Sequence, residues 1–360
     1  MRDADSHHVS RVTERESDTD LAWMQEALRL ARRGWGRTSP NPMVGAILAR
    51  DGATVGAGAH LKAGSPHAEI HALREAGEKA RGATMYVTLE PCSTRGRTGP
   101  CTEAILKAGV RRVVIGCVDP NPLHAGRAVE LLREAGVHVT VGVAETACRR
   151  LNEAFFCWVT RRRPFVTLKM AMTLDGKIAT AAGESKWITG PASRKYVQRL
   201  RRFADAILVG AETVRQDDPS LKVREPADWE PQPARLIWSR SGNTGSSRGI
   251  FSDADRPPVF VAADDRQDWI RFLEKLARQN ILSVLVEGGG ELASSLLRAG
   301  LVDKVAFFIA PRLLGGRNSR PVIAGPDPVS LTDALSVEEM QVERCGDDLL
   351  ITGYPRCSQD

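Results

Sequence analysis

Short apolar segments with strand character alternate with amphipathic helical segments along most of this 360-residue chain. Apolar side chains recur at helical spacing over residues 21–33 and 67–76, and buried-type runs cover 43–49, 54–59 and 83–89. A chain with this alternation folds as a sheet that is covered by helices. The sequence therefore predicts an α/β fold, with α/β/α layers in its first part.

The length of the chain indicates two domains, because one hydrophobic core rarely organises 360 residues. The first 19 residues are polar with mixed charges, and residues 1–19 are predicted to be a disordered leader. We expect a first domain over 20–146 and a helical connection over 147–163, which ends in three arginines. A second domain is expected over 164–356.

Composition and cysteine usage indicate a cytoplasmic protein. Hydrophobic residues make up 42% and charged residues 26% of the chain, as is usual for a globular protein in water. There is no apolar run of roughly 18 residues to span a membrane, and the N-terminus lacks the apolar stretch of a secretion signal. Seven irregularly spaced cysteines favour a reducing compartment over a disulfide framework. We therefore expect no membrane partner.

The net charge of +6 favours an anionic partner, either a nucleic acid or a phosphorylated metabolite. A solvated surface rich in lysine and arginine would give the same charge balance. The basic runs, such as residues 161–163, are short and lack the interleaved aromatic side chains of a nucleic-acid interface. A small phosphorylated molecule is therefore the expected partner, and a nucleic acid is not.

One histidine and two cysteines, His67, Cys92 and Cys101, form a candidate zinc site. Three protein ligands leave the fourth position of zinc open to water, as in catalytic sites. Glu69, two residues after the histidine, could carry the proton of that water to a leaving group. Buried free cysteines and a helix-capping His-Glu pair would explain any one of these residues. The complete set favours zinc.

These residues resemble the H-x-E and P-C-x-x-C signature of the cytidine-deaminase-like superfamily. Here eight residues instead of two separate the cysteines, in the segment PCSTRGRTGPC over 91–101. This segment is similar to the deaminase domain of the bifunctional deaminase/reductase family of riboflavin biosynthesis. The resemblance continues, in family order, over residues 40–45 (PNPMVG), 60–64 (HLKAG), 67–72 (HAEIHA), 119–122 (DPNP), 168–176 (LKMAMTLDG), 184–189 (ESKWIT), 213–219 (TVRQDDP) and 287–289 (EGG). Ala46, Thr94, Arg95 and Gly99 depart from the family pattern, but none of them is a ligand or the proton carrier.

The resemblance implies that the first domain hydrolyses the 2-amino group of 2,5-diamino-6-(5-phosphoribosylamino)pyrimidin-4-one. Zinc would activate the attacking water, Glu69 would shuttle protons, and ammonia would leave. By family position, Asn41 and His60 would hold the pyrimidine, and Arg97 would contact the substrate, with the phosphate as a candidate. Without the resemblance, Asn41 would be explained as a turn former and Arg97 as a solvated loop charge.

The residues of the second domain alone do not predict its function, because the segment EGGG over 287–290 is only a weak signal of nucleotide binding. The resemblance implies a dihydrofolate-reductase-like α/β domain that uses NADPH to reduce the ribosyl side chain to ribityl. By position, the residues expected to bind the cofactor are Ala171, Trp187, Thr213, Asp217, Gly289 and Gly290. The residues expected to face the substrate are Ser185, Arg201, Leu221, Arg224 and Glu287.

Lys169 is a charged residue in an otherwise apolar predicted strand, so it needs a partner or a ligand. Lys169 or Asp217 is expected to assist proton transfer to the ring oxygen as the sugar opens. Trp187 could equally be an aromatic residue of the core. The resemblance also implies a homo-oligomer that is assembled through the reductase half.

Two other functions compete with this interpretation. One is a nucleic-acid-editing deaminase with an accessory binding domain, which the basic pI near 9.0 would suit. The other is a non-catalytic relative with a structural zinc ion. The long cysteine spacing and the second-half motifs argue against the first alternative, and the presence of Glu69 argues against the second.

Overall fold

The structure, a computed structural model, describes residues 14–94, 99–239, 241–244, 249–251 and 257–356, with the backbone alone for residues 14–17. The chain divides into two compact units between Phe156 and Cys157. This division falls inside the connection predicted over 147–163, and the predicted domain bounds themselves stay predictions. Residues 1–13 of the predicted leader lie outside the described residues.

Unit 1, which ends at Phe156, contains one five-stranded sheet in the part of the chain that is described. Its strands are β1 (Gly45–Arg50), β2 (Ala53–Ala59), β3 (Thr84–Val87), β4 (Arg112–Ile115) and β5 (His138–Val141). Its helices are α1 (Glu14–Ala31), α2 (Ala68–Ala76), α3 (Cys101–Lys107), α4 (Arg127–Glu134) and α5 (Glu145–Leu151), and α6 (Glu153–Arg161) leads out of it. In the order β2-β1-β3-β4-β5, β1 pairs antiparallel with both neighbours, and β3, β4 and β5 are parallel.

Glycines let helix α2 lie directly on the hairpin of β1 and β2. A Cβ atom on Gly56 would overlap the carbonyl oxygen of Ala72, and one on Gly58 would overlap that of Ala68. The helix presents small side chains to the hairpin: Ala68, Ala72 and Ala76 are all buried in the same cluster. The start of α2 is therefore held at a fixed depth on the sheet.

Helix α1 covers the opposite face of the same sheet. A Cβ atom on Gly45 would overlap the carbonyl oxygen of Ala27 in α1. The next residue, Ala46, belongs to the cluster that contains the alanines of α2, as does Leu48. Because successive strand residues point to opposite faces, β1 is buried between two helical layers. These are the layers that the sequence predicts.

Two predicted helices need correction. Helix α1 begins at Glu14, so residues 14–19 of the predicted leader belong to it. Its first turns are polar and lack apolar periodicity, although Glu and Arg are good helix formers. The helical connection predicted over 147–163 contains not one helix but two, α5 and α6, which separate at Asn152. The Asn152 side chain there pairs with the backbone of Met43, donating to its carbonyl and accepting from its N–H, each at 2.8 Å.

Unit 2, which begins at Cys157, contains an eight-stranded sheet and a two-stranded sheet within the described residues. Its strands are β6 (Phe165–Thr173), β7 (Lys177–Ala179), β8 (Ala206–Gly210), β9 (Ala234–Trp238), β10 (Val259–Val261), β11 (Ser283–Val286), β12 (Lys304–Ala310), β13 (Arg320–Pro321), β14 (Val337–Cys345) and β15 (Asp348–Pro355). Its helices are α7 (Pro191–Phe203), α8 (Ala211–Asp217), α9 (Arg266–Arg278) and α10 (Gly290–Arg298). The larger sheet has the order β10-β9-β8-β11-β6-β12-β15-β14, parallel from β10 to β12 and antiparallel beyond.

The inner strands of the larger sheet are buried on both faces, as the fully buried β8 and β11 show. In β8, Leu208 joins a cluster with Trp269 of α9, whereas Ile207 and Val209 join a second cluster on the other side. Parallel strands that are covered in this way place their ligand sites at the carboxyl ends of the strands. The helices turn apolar faces to the sheet, and none in the described part of the chain has the length and apolar character to cross a membrane.

Strand β14 is a strand that the sequence did not predict. Its residues from Val337 to Arg344 are exposed, and only Cys345 at its end is buried. With no buried face, the strand shows no alternation of apolar and polar residues that would mark it. It pairs with β15 at the edge of the larger sheet.

Candidate active sites

Three side chains from different elements of unit 1 converge at one end of its sheet. His67 is the N-cap of α2, Cys92 follows β3, and Cys101 is the first residue of α3. Nδ1 of His67 lies 3.5 Å from Sγ of Cys92 and 3.3 Å from Sγ of Cys101, and the three donor atoms all lie within 4.8 Å of one another. Zinc bonds of about 2.0–2.3 Å can span such separations. The three predicted ligands therefore fit a single zinc ion.

The two thiols of this cluster are electrostatically different. The hydrogen bond from the Cys101 thiol, helped by His67 and by the backbone N–H of Cys101, lowers the pKa of Cys92 to about 4. The same thiol-thiolate hydrogen bond, together with burial, raises the pKa of Cys101. The hydrogen bond with Cys92 also raises the pKa of His67. Without metal the cluster thus holds protons that a bound zinc ion would displace.

Glu69 lies in the first turn of α2 and is 2% exposed. Burial raises the pKa of Glu69, although the neighbouring His67 acts in the opposite direction. Its Oε2 atom has no hydrogen-bond partner among the described residues. A buried polar atom without a partner is uncommon and indicates a position for water or a ligand. The carboxyl group is thus suited to exchange a proton next to the zinc ligands.

Asn41 and His60, the two residues predicted to hold a pyrimidine, contact each other. Nδ2 of Asn41 lies 3.2 Å from Nε2 of His60, whose Nδ1 lies 3.2 Å from the carbonyl oxygen of Pro66. A carbonyl only accepts, so Nδ1 donates and Nε2 accepts from the Asn41 amide. Burial lowers the pKa of His60, which favours this neutral form. The His60 ring also stands edge-on to that of His67, with centroids 5.5 Å apart, which places the pair beside the cluster.

Sequence reasoning missed two residues that hold loops of this site. Asn152 pairs with the backbone of Met43, two residues beyond Asn41. Glu90 accepts hydrogen bonds from three backbone N–H groups of a later segment. A charged residue at the end of an apolar strand was the available signal for Glu90. The predicted Arg97 lies outside the described residues.

In unit 2, three predicted residues form a buried charged group between the middle of β6, where Lys169 lies, and the carboxyl end of β11, which Glu287 follows. Nε and Nη2 of Arg201 donate to the two carboxylate oxygens of Glu287 at 2.7 and 2.9 Å. Burial opposes ionisation of Glu287, but the charge and hydrogen bonds of Arg201, with Lys169, outweigh it and lower the pKa of Glu287. Burial lowers the pKa of Lys169, although the charge of Glu287 acts in the opposite direction. Within the described residues the Lys169 ammonium has no hydrogen bond, and it lies 5.9 Å from the ring centroid of Phe308.

Four of the predicted cofactor residues of unit 2 lie on or next to α8 and α10: Thr213 is in the first turn of α8, Asp217 ends that helix, and Gly289 and Gly290 begin α10. Ser185 donates to Asp217 at 3.0 Å, which joins a predicted substrate residue to a predicted cofactor residue. A Cβ atom on Gly289 would lie 3.8 Å from Oγ1 of Thr213, and one on Gly290 would lie 2.7 Å from the carbonyl oxygen of Pro321. Gly290 therefore has no room for a side chain.

Trp187 is 61% exposed, which excludes the alternative that it is a core aromatic residue. The guanidinium of Arg194 lies 4.8 Å from its ring centroid. Leu221, in contrast, buries its side chain in a hydrophobic cluster, so its backbone is the part left to meet a ligand. Ala171 is partly buried on β6, and Arg224 is exposed.

Comparison with known proteins assigns each unit to a family. Residues 17–117 match the cytidine and deoxycytidylate deaminase zinc-binding region, and residues 164–351 match the RibD C-terminal domain. The chain is similar to the riboflavin biosynthesis protein RibD of Aquifex aeolicus (strain VF5), with 43% identity over 352 residues, 93% of this chain and 98% of that protein. RibD of Escherichia coli (strain K12) is 39% identical over 361 residues, 92% of this chain and 98% of that protein.

Solved structures match over nearly the whole chain. Acinetobacter baumannii RibD, form 1, has a TM-score of 0.87 and 39% identity, covering 95% of this chain and 100% of that one. A Thermotoga maritima protein described as a diaminohydroxyphosphoribosylaminopyrimidine deaminase/5-amino-6-(5-phosphoribosylamino)uracil reductase has a TM-score of 0.84 and 36% identity, covering 94% of this chain and 99% of that one. These similarities confirm the predicted fold class in both halves of the chain.

Replacing one of the three proposed ligands should release zinc. We expect Cys101→Ser to lower zinc affinity by more than about 100-fold, because even changes in the hydrogen-bond partners of metal ligands cost up to that amount. Zinc content after dialysis, measured by atomic absorption, checks this. Cys345→Ser, which changes a buried cysteine of unit 2, should retain the zinc content of the unaltered chain. Equal zinc in both variants would contradict the assignment of Cys101.

Proposed function

The chain belongs to the bifunctional deaminase/reductase family of riboflavin biosynthesis, and from that membership we propose its substrate and the residues that act in each reaction. The predicted zinc-dependent deaminase in the first half and NADPH-dependent reductase in the second are confirmed by the family matches. We propose that the chain converts 2,5-diamino-6-(5-phosphoribosylamino)pyrimidin-4-one into 5-amino-6-(5-phosphoribitylamino)uracil. The observation that carries the proposal for the first step is the unpartnered, buried Oε2 of Glu69 next to a His-Cys-Cys cluster.

Glu69 is the proton carrier of the proposed deamination. Zinc held by His67, Cys92 and Cys101 supplies an activated water when it is bound. Because burial raises its pKa, the Glu69 carboxyl group can retain the proton that it takes from that water. It then donates this proton to the departing amino group, which leaves as ammonia.

Asn41 and His60 orient the pyrimidine in the proposed complex. The neutral His60 ring donates to Pro66 and accepts from Asn41, so the Asn41 amide is held in one orientation. The amide oxygen of Asn41 remains available to accept from the heterocycle. Arg97 is proposed to contact the phosphate, in keeping with the net charge of +6.

Glu69→Ala tests the proposed deamination. We expect ammonia release to fall by at least about 100-fold, the usual range for loss of a general acid-base group. Zinc content should persist, because the three ligands are untouched. Reduction of substrate that has already been deaminated should also persist, since the reductase residues lie in unit 2. Ammonia production at the unaltered rate would contradict the role of Glu69, and loss of reduction in a folded variant would contradict separate sites.

The reductase site is proposed to bind both NADPH and the phosphorylated sugar. Bound NADPH supplies the hydride. The residues proposed to hold it are Ala171, Trp187, Thr213, Asp217, Gly289 and Gly290. Those proposed to face the substrate are Ser185, Arg201, Leu221, Arg224 and Glu287. Of the two arginines, Arg201 is already engaged with Glu287, so the exposed Arg224 is the better candidate for the phosphate.

Lys169 is the preferred candidate for proton transfer to the ring oxygen of the sugar. Its ammonium is buried, faces the charge of Glu287 and has no hydrogen bond within the described residues. Asp217, the other candidate, accepts from Ser185 through its carboxylate, and its carbonyl accepts from Lys186. Lys169 is therefore the group of the two that is free to donate.

Lys169→Met should lower the rate of reduction by about 100-fold, the lower range for a general acid, and leave ammonia release unchanged. In the unaltered enzyme, reduction should be fast while the ammonium is protonated and should fall as pH rises through a pKa below that of a free lysine. This direction follows because burial lowers the pKa of Lys169. Steady-state NADPH oxidation, measured over a range of pH, checks the rate loss in the variant and the pH dependence of the unaltered enzyme. The exposed Lys275→Met is the matched control, and full activity of Lys169→Met would refute the role.

A homo-oligomer in the cytoplasm is the proposed state of the enzyme. The edge strand β14 exposes Val337, Met340 and Val342, and exposed edge strands with apolar side chains favour pairing with another chain.

Sedimentation equilibrium should show an oligomer, and Val342→Glu should shift it towards the monomer. A monomer at all concentrations would refute the oligomer, and recovery of the enzyme outside the cytoplasmic fraction would refute the location.

A further inference from the structure

Glu90 is a buried carboxylate, 5% exposed, two residues before the proposed ligand Cys92. Its Oε2 accepts from the backbone N–H groups of Asp119 at 3.1 Å and Gly126 at 2.9 Å. Its Oε1 accepts from the N–H of Ala128 at 2.9 Å. A carboxylate is buried at low cost only where hydrogen bonds of this kind satisfy it. These three donors satisfy both oxygens.

Two of these donors, Asp119 and Gly126, are the ends of the segment 119–126 in the connection from β4 to α4, and the third, Ala128, lies in the first turn of α4. Asp119 is the first residue of the segment, and Gly126, the N-cap of α4, is its last. The backbone N–H of Glu90 also donates to the carbonyl of Cys117 at 2.9 Å. One side chain therefore closes the 119–126 segment at both ends.

The closed segment lies against the zinc cluster. His124 places Nδ1 3.5 Å from Oγ of Ser93, the residue after Cys92. Within the segment, Asp119 accepts from the N–H of Asn121 at 2.8 Å, which fixes the direction of its carboxyl group. The positions of Asp119 and His124 beside the cluster therefore depend on how the segment is held.

We propose that Glu90 is a positioning residue of the deaminase reaction, which closes the 119–126 segment so that Asp119 and His124 face the substrate beside the zinc ligands. This role rests on the proposed deamination by unit 1. Glu90 itself does not contact the reacting atoms, because backbone N–H groups of this chain occupy both of its oxygens. Its loss should therefore weaken substrate binding more than it slows the chemical step.

Glu90→Gln in the full-length, zinc-loaded enzyme is the test. The amide is nearly isosteric but presents an NH2 group to at least one backbone N–H, so that donor loses its acceptor. We expect KM for the pyrimidine to rise about tenfold, as for the loss of one charged hydrogen bond, with kcat changed less than about threefold. Zinc content and the reduction of deaminated substrate should equal those of the unaltered enzyme.

Two further measurements separate positioning from general stability. Hydrogen exchange should accelerate at the amides of Asp119, Gly126 and Ala128, and not across β3 and β4. The KM increase of Glu90→Gln combined with His124→Ala should be smaller than the product of the two single increases. Glu75→Gln is the matched control, because the exposed Glu75 accepts from a single backbone N–H, that of Ala57 at 2.9 Å, and we expect its KM to stay unchanged.

Several results would overturn the proposal. An unaltered KM in Glu90→Gln would show that the segment needs no such support. Loss of zinc, or a fall in kcat at constant KM, would place Glu90 in metal binding or in the chemical step. If the KM increase of the double variant equalled the product of the increases in Glu90→Gln and His124→Ala, Glu90 would not act through His124. If the unaltered enzyme released no ammonia, the proposed deaminase function itself would be refuted. If it released ammonia and Glu90→Gln had an unchanged KM, only the role of Glu90 would be refuted.

Discussion

The close contact between helix α2 and the β1–β2 hairpin is the constraint on which the deaminase site depends. Gly56 and Gly58 have no side chains, so the carbonyls of Ala72 and Ala68 occupy the space that Cβ atoms would fill. Since α2 starts next to His67, a helix held further from the sheet would carry that imidazole away from the two thiols. The metal geometry of unit 1 is therefore decided by backbone packing as much as by the ligands.

Buried carboxylates take opposite roles in the two units, and the difference follows from their neighbours. Burial raises the pKa of Glu69, whose Oε2 has no partner in the described structure, so the group is suited to carry a proton. Glu287 is also buried, but its bidentate pair with Arg201 lowers its pKa and keeps it ionised. Such a buried ion pair contributes little to stability. Its retention beside Lys169 is instead consistent with a site for a polar ligand.

Local sequence patterns predicted most of the secondary structure and identified the three zinc ligands. They could not predict side chains that hydrogen-bond to backbone groups far away along the chain. The pairing of Asn152 with Met43 spans 109 positions, and no periodicity reports such a contact. Asn152, which makes this pairing, is also the residue at which α5 and α6 separate. Strand β14 could not be predicted from the sequence, because an exposed edge strand needs no alternation of apolar and polar residues. The residue roles of the reductase site came from family resemblance, and they stay predictions.

The pairing of Asn152 with Met43 has a consequence for dividing the enzyme. The deaminase sheet ends with β5, and the matched zinc-binding region ends at residue 117, so a truncated deaminase could be designed to end at either position. Both cuts would remove the amide that holds the backbone next to Asn41. The proposed pyrimidine site is thus completed by the last residues before the second unit, and a separately produced deaminase must retain α5 and Asn152 to keep the backbone beside Asn41 in place.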